Sequence, residues 1–229
     1  METYIVSALK YRPQTFKDVV GQKNITQTLE IAIEKNQVAQ ALLFCGPRGV
    51  GKTSCARILA KKINSKDKKY SNEDFAFNIF ELDAASNNSV DDIRSLNEQV
   101  RIPPQVGTHK IYIIDEVHML SIGAFNAFLK TLEEPPKHVI FILATTEKQK
   151  IIPTILSRCQ TYDFKRISVK DCKAHLETIA KDQKIEFDDE SLDLIAQKAD
   201  GALRDALTIY DRMVSFTDRS LTVKSVSEN

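Results

Sequence analysis

Residues 46–53, GPRGVGKT, have the spacing G-x-x-x-x-G-K-[ST]. This pattern builds a phosphate cradle: glycines let the backbone turn tightly and aim N–H groups at anionic oxygens, and the helix that follows adds its partial positive charge. In that chemistry Lys52 reaches the β- and γ-phosphates and the Thr53 hydroxyl ligates Mg²⁺. The apolar run ALLFC (41–45) precedes the glycines and a helical pattern from Ser54 to Ile63 follows them. We therefore place Gly46, Arg48, Gly49, Val50, Gly51, Lys52, Thr53 and Ser54 in a nucleoside-triphosphate site.

A second constellation lies at 111–116, IYIIDE. Two adjacent acids at the end of a buried strand are costly unless a cation waits there. Asp115 is assigned to Mg²⁺ and Glu116 to the water that attacks the γ-phosphorus. The run VIFILA (139–144) delivers Thr145 and Thr146 to a strand end, where open α/β sheets bind ligands. Thr146 reads there as a reporter on the γ-phosphate or the water, or as an ordinary strand-terminal threonine. Arg158 ends the short apolar helix 154–156; its type and place suit a catalytic arginine or a charge favoured by the helix dipole.

These groups must be held by a scaffold, and the apolar runs describe one. Of ALLFC (41–45), FNIFEL (77–82), IYII (111–114), VIFILA (139–144) and TYDF (161–164), most are near-continuously apolar, as expected for parallel strands covered on both faces. The intervals leave room for crossover helices, so a five-stranded parallel βαβ sheet is expected over residues 1–165. Three helical patterns follow, 171–184, 189–200 and 203–216, and predict a small all-α three-helix domain over 166–229. The polar, lysine-rich stretch 64–73 is the best candidate for a mobile surface loop.

Composition sets limits. With 42% hydrophobic and 28% charged residues in 229, the chain reads as globular. Its net charge of +1 divides into +4 over residues 1–165 and −3 over 166–229. Neither is a nucleic-acid footprint, so DNA contact would come from local clusters or several copies together. No apolar run of membrane-spanning length occurs, and the N-terminus lacks a signal-peptide pattern. Cys45, Cys55, Cys159 and Cys172 form no C-x-x-C pair, which fits reduced thiols in a cytoplasm.

Taken in order, YRPQTFKDVVGQ, GPRGVGKT, IYIIDEVHML, ILATT, ILSRC and GALRDAL resemble the AAA+ clamp-loader ATPases, and ELDAASN and LEEPP point to the gamma/tau type of bacterial DNA polymerase III. The resemblance implies that Arg158 is an arginine finger acting on a neighbouring subunit's γ-phosphate, that Thr146 is the sensor-1 residue, and that Arg204 is the sensor-2 arginine on a helical lid. It implies that Tyr11, Arg12, Pro13, Val19 and Val20 pack beside the adenine. Implied cofactors are ATP and Mg²⁺. Implied partners are other clamp-loader subunits in a hetero-oligomeric ring, a sliding clamp, primer–template DNA, and, through regions outside this chain, the polymerase core and replicative helicase.

Two departures qualify this. The family's four-cysteine zinc module has no counterpart between Ile63 and Asn78, where no cysteine occurs, so no structural zinc is expected. The family's collar domain would lie beyond Asn229, so the chain reads as an N-terminal portion whose oligomerisation and trans catalysis would be weak. Residues 86–89 (SNNS) precede a helical pattern at 90–100; they read as helix capping or as phosphate contacts for DNA. His118 reads as a packing or relay residue. Two other functions remain open on residues alone: another DNA-associated AAA+ motor, such as a Holliday-junction branch-migration ATPase, and a nucleotide-binding scaffold without turnover.

Overall fold

The computed structural model describes residues 5–65, 77–217 and 220–227. Most of the stretch 64–73, read above as a loop, lies outside them. The chain divides into two compact units: residues 24–46 with 52–164, and residues 1–23 with 47–51 and 165–229. Between them, in chain order, run helices α1 (Ser7–Lys10), α2 (Lys23–Glu34), α3 (Lys52–Ser65), α4 (Val90–Val100), α5 (Ile122–Glu133), α6 (Pro153–Leu156), α7 (Val169–Gln183), α8 (Asp189–Lys198), α9 (Leu203–Phe216) and α10 (Val223–Ser227). The strands are β1 (Ala41–Cys45), β2 (Ile79–Asp83), β3 (Lys110–Asp115), β4 (Val139–Thr145), β5 (Gln160–Asp163), β6 (Glu186–Phe187) and β7 (Ser220–Leu221).

The first unit is built on a five-stranded parallel sheet in the order β2-β3-β4-β1-β5. Every residue of β1 and β4 is buried, which is why neither alternates polar with apolar. Phe128 of α5 meets Phe141 of β4 edge-on at 5.0 Å between ring centres, the geometry aromatic quadrupoles favour. The register pairs Cys45 with Thr145 and Asp83 with Asp115, so the carboxyl ends of β1 and β4, and of β2 and β3, finish level. Gly46, the two acids and the two threonines are thereby delivered to one edge. There β1, flanked by β4 and β5 while the chain continues to distant β2, makes the topological switch point at which open sheets bind ligands. α4 is capped as sequence allows: Ser89 Oγ accepts from Asp92 N, and the Asp92 carboxylate accepts from Ser89 N.

The second unit packs α7, α8 and α9 around Leu176, Ile179, Leu192, Ile195, Leu207 and the fully buried Tyr210. The Tyr210 hydroxyl donates to Gln183 Oε1 at 3.1 Å, so the buried ring leaves no polar atom unmet. To the three expected helices the structure adds α10 and a two-residue parallel pairing of β6 with β7. The second unit resumes at Lys165, and residues 5–23 group with it. α1 binds the lid core through Ser7 N to Asp211 Oδ2 (2.7 Å), and Tyr11 OH donates to Asp182 Oδ2 (2.5 Å).

Candidate functional site

Gly46 sits at φ 146°, and a Cβ there would lie 2.4 Å from the Phe164 carbonyl oxygen. Only glycine permits that approach of the loop's first residue to the end of β5. Lys52 opens α3, is 6% exposed, and donates Nζ to the Gly46 carbonyl at 2.7 Å. Burial pushes its pKa below the usual lysine value, while Glu116 and Asp115 pull it back up. A buried ammonium with two acids nearby is matched to a polyanion and its cation. Thr53, the next residue, donates Oγ1 to Asp115 Oδ2 at 2.7 Å. A hydroxyl and a carboxylate converging in this way are the hard oxygen donors Mg²⁺ prefers, and with the glycine cradle they fit a magnesium nucleotide. Among the described residues no group of three or more His, Cys, Asp or Glu side chains is arranged to hold a metal ion by itself. The four cysteines are free thiols.

Asp115 ends β3, and its other oxygen, Oδ1, accepts the Glu116 amide at 3.0 Å. Glu116 adopts a left-handed backbone, φ 47° and ψ 44°, a conformation costing a non-glycine residue about 1–2 kcal/mol. The turn carries its carboxylate toward β4. There Glu116 Oε2 accepts from Thr146 Oγ1 at 2.9 Å and Thr146 N at 3.3 Å. The predicted pair of acid and threonine is therefore in direct contact.

In the other unit Gly49, at φ 75°, sits under α9: a Cβ there would lie 3.2 Å from Arg204 Cβ. Ala202 caps α9 with no side-chain acceptor, and the Arg204 amide donates instead to the Gly49 carbonyl at 3.4 Å. This brings Arg204 beside the centre of the loop. Arg48 is exposed and Val50 buried. Val19 is buried with its methyl 3.7 Å from where a Gly51 Cβ would be, whereas Val20 and Tyr11 pack against the helical core. Arg12 and Pro13 are half-buried.

Arg158, at the end of α6, donates to Glu133 at 2.6 Å and to the Thr154 carbonyl at 2.7 Å. Ser86 and Asn87 are engaged with Asp83, and Ser89 with its helix cap. Sequence reasoning missed Gln22, Glu133 and Glu147, and named His118 only as a packing or relay residue. Gln22, 4% exposed, bridges Lys165 O (2.7 Å) and the Val50 carbonyl of the loop (3.5 Å). Glu133 holds Arg158. His118 and Glu147 stand behind Glu116, the ring Nδ1 3.4 Å from Glu116 Oε2 and Nε2 3.2 Å from Glu147 Oε1. The GQ at 21–22 lay inside a stretch already singled out, so of the three missed residues Gln22 alone had a sequence signal.

Residues 21–168 match a family model described as DNA polymerase III, delta subunit, and residues 171–219 match one described as the DNA polymerase III clamp loader subunit, ATPase lid domain. A DNA polymerase III subunit tau from Bacillus subtilis is 48% identical over 227 residues, covering 93% of this chain and 40% of that protein. The Escherichia coli subunit tau is 44% identical, covering 98% and 37%. A subunit gamma from Buchnera aphidicola is 42% identical, covering 97% and 64%. The chain thus spans between about two fifths and two thirds of the length of these relatives. Among solved structures, the Thermotoga maritima RuvB Holliday junction branch migration motor superposes with a TM-score of 0.74 at 21% identity, over 95% of this chain and 71% of that one. At that identity the likeness concerns the fold alone.

Proposed function

The chain belongs to the family of DNA polymerase III clamp-loader subunits, and from that premise we propose that it binds ATP with Mg²⁺ and hydrolyses it to drive the loading of a sliding clamp onto primer–template DNA. The observation that carries this reading is the convergence of Lys52, Thr53, Asp115 and Glu116 at the carboxyl edge of the sheet, with Thr53 and Asp115 2.7 Å apart.

In this reading the loop amides and Lys52 seat the triphosphate, and Arg204 contributes a second cation. Thr53 and Asp115 hold Mg²⁺, which supplies neutralisation of charge on the β- and γ-oxygens when bound. Glu116 accepts a proton from the attacking water, and Thr146 fixes the carboxylate that does so. Tyr11, Arg12, Pro13, Val19 and Val20 line the adenine. Arg158 acts on the nucleotide of a neighbouring subunit, where such a residue contributes a rate factor of roughly 10³–10⁵. ATP drives loading only insofar as it binds the assembled, clamp-engaged state more tightly than ADP does. The partners are the other clamp-loader subunits, the clamp and DNA, with the polymerase core and replicative helicase engaged through the remainder of the protein, in the cytoplasm. Among the described residues no helix is long and apolar enough to cross a membrane.

The test is Glu116→Gln in the complex reconstituted with its partner subunits. The variant retains ATP binding and loses DNA- and clamp-stimulated turnover; persistence of that turnover overturns the assignment. A scaffold subunit without hydrolysis would show no stimulated turnover in the parent protein either.

A further inference from the structure

The carboxylate of Glu116 is a long side chain on a single left-handed residue, and something must hold it in one orientation against the rotamer entropy it would otherwise keep. One oxygen, Oε2, takes all three of its described contacts: Thr146 N, Thr146 Oγ1, and His118 Nδ1 at 3.4 Å. The His118 side chain is only 5% exposed. Its Nδ1 lies 3.0 Å from Thr145 Oγ1, which in turn accepts the Glu147 amide at 3.0 Å. Its Nε2 lies 3.2 Å from Glu147 Oε1. Both carboxylates only accept, so the ring ties Glu116 to Glu147 when each of its nitrogens carries a proton, Nδ1–H toward Glu116 and Nε2–H toward Glu147. Lys150 holds Glu147 from the far side at 2.8 Å. Thr145 is fully buried, so the arrangement is anchored on β4 rather than on a loose loop.

We propose that His118, oriented by Glu147, is a positioning residue for hydrolysis: it braces the Oε2 side of Glu116 so that Oε1 is the atom presented to water. The inference rests on the reading of Glu116 as the group that activates the water. His118 touches neither nucleotide nor water in this scheme; it acts through Glu116. The same brace explains why a histidine, and not an aliphatic residue, fills a nearly closed space beside two glutamates. An apolar side chain there would leave the buried Thr145 hydroxyl without its ring partner and remove the one group that lies between the two carboxylates.

The experiment uses the full-length protein in its own clamp-loader complex, measuring DNA-stimulated kcat, affinity for a non-hydrolysable ATP analogue and the melting temperature. His118→Leu lowers kcat about tenfold to hundredfold, the size expected for misplacing a reacting group by about 1 Å, with analogue affinity within twofold of the parent. Glu147→Gln, whose amide oxygen still accepts from Nε2, retains most of the rate, whereas Glu147→Leu loses a share of it comparable to His118→Leu. His118→Asn, which keeps a polar atom near the position of Nδ1, recovers part of the loss. Hydrolysis by His118→Leu within twofold of the parent overturns the inference. So does a loss of kcat accompanied by equal losses of affinity and melting temperature, which marks a purely structural histidine. Glu116→Gln in the same assay separates the two readings. If it hydrolyses normally, the assignment of Glu116 fails and this inference with it; if it is inactive while His118→Leu is not, only the brace fails.

Discussion

The Thr53 hydroxyl donates to Asp115 Oδ2 across 2.7 Å, joining the first turn of α3 to the last residue of β3. Each residue is one of the two protein donors assigned to Mg²⁺, and their separation is set by two elements of a rigid sheet layer rather than by a flexible loop. Asp115→Asn and Thr53→Val should each weaken Mg²⁺-dependent nucleotide binding by about 10–100-fold, the range seen when groups around a metal are removed. Titration of labelled ATP in Mg²⁺ and in chelator gives the comparison: the gain from Mg²⁺ shrinks in both variants while chelator-phase affinity stays near the parent's.

Lys52 gives a pH signature. Burial lowers its pKa in the folded state from 10.5, so over the window between that lowered value and 10.5 the unfolded chain binds more protons than the folded one. Stability attributable to this group therefore rises with pH through the window. Urea unfolding of the parent and of Lys52→Met, compared at pH 7 and stepwise toward 10.5, should show the parent gaining on the variant as pH increases. Nucleotide affinity of Lys52→Met should fall by about 1.5–3 kcal/mol, the worth of a charge-assisted hydrogen bond.

Gly46→Ala tests the close approach at the end of β5. The added Cβ would meet the Phe164 carbonyl at 2.4 Å in a backbone region side chains avoid, and a cost of about 1–3 kcal/mol is expected from strain of this kind. Thermal unfolding of the nucleotide-free protein reads it directly.

Asp188 caps α8, accepting from Ser191 N at 2.7 Å and from Val223 N at 3.0 Å. Desolvation opposes its ionisation, but the two amides prevail and its pKa is lowered from 3.8. Its stabilisation is thus complete above 3.8 and is lost as pH falls through the depressed folded value. Asp188→Ala should cost about 1 kcal/mol at pH 7, as for other helix caps, and the difference between Asp188→Asn and the parent should narrow below pH 3.8 in denaturant titrations.

Arg158 is paired with Glu133 in its own chain at 2.6 Å. Surface pairs contribute about 0–1 kcal/mol, small enough for a neighbour's γ-phosphate to displace. Arg158→Ala should leave ATP binding by the isolated chain unchanged and lower turnover of the assembled complex by at least 10³-fold. A mixed complex, in which only one subunit carries the substitution, locates the affected site next door.

The sheet was legible because its central strands β1, β3 and β4 are buried and so print apolar runs; four of the five strands begin within one residue of the run that announced them, and β2 starts two residues later, at Ile79. The phosphate loop and the acid pair were legible because their chemistry demands contiguous residues. The pairing of His118 with Glu147 was not, since 29 positions separate them and only the adjacency of β3 and β4 brings them together. The same holds for Arg158 and Glu133. The β6–β7 pairing is too short to carry any periodicity, and the attachment of α1 to the helical unit depends on polar bonds such as Ser7 to Asp211 that hydrophobic spacing does not encode.

Asp115 serves two masters through its two oxygens: Oδ2 answers to Thr53 and Oδ1 to the amide of Glu116. Any change in what the first oxygen binds tilts the whole planar group and is felt at once by the peptide that aims its neighbour. On the function proposed above, ion choice and proton chemistry would therefore not be separate dials, and an effort to retune the site for another divalent metal would have to redesign the glutamate's turn in the same step.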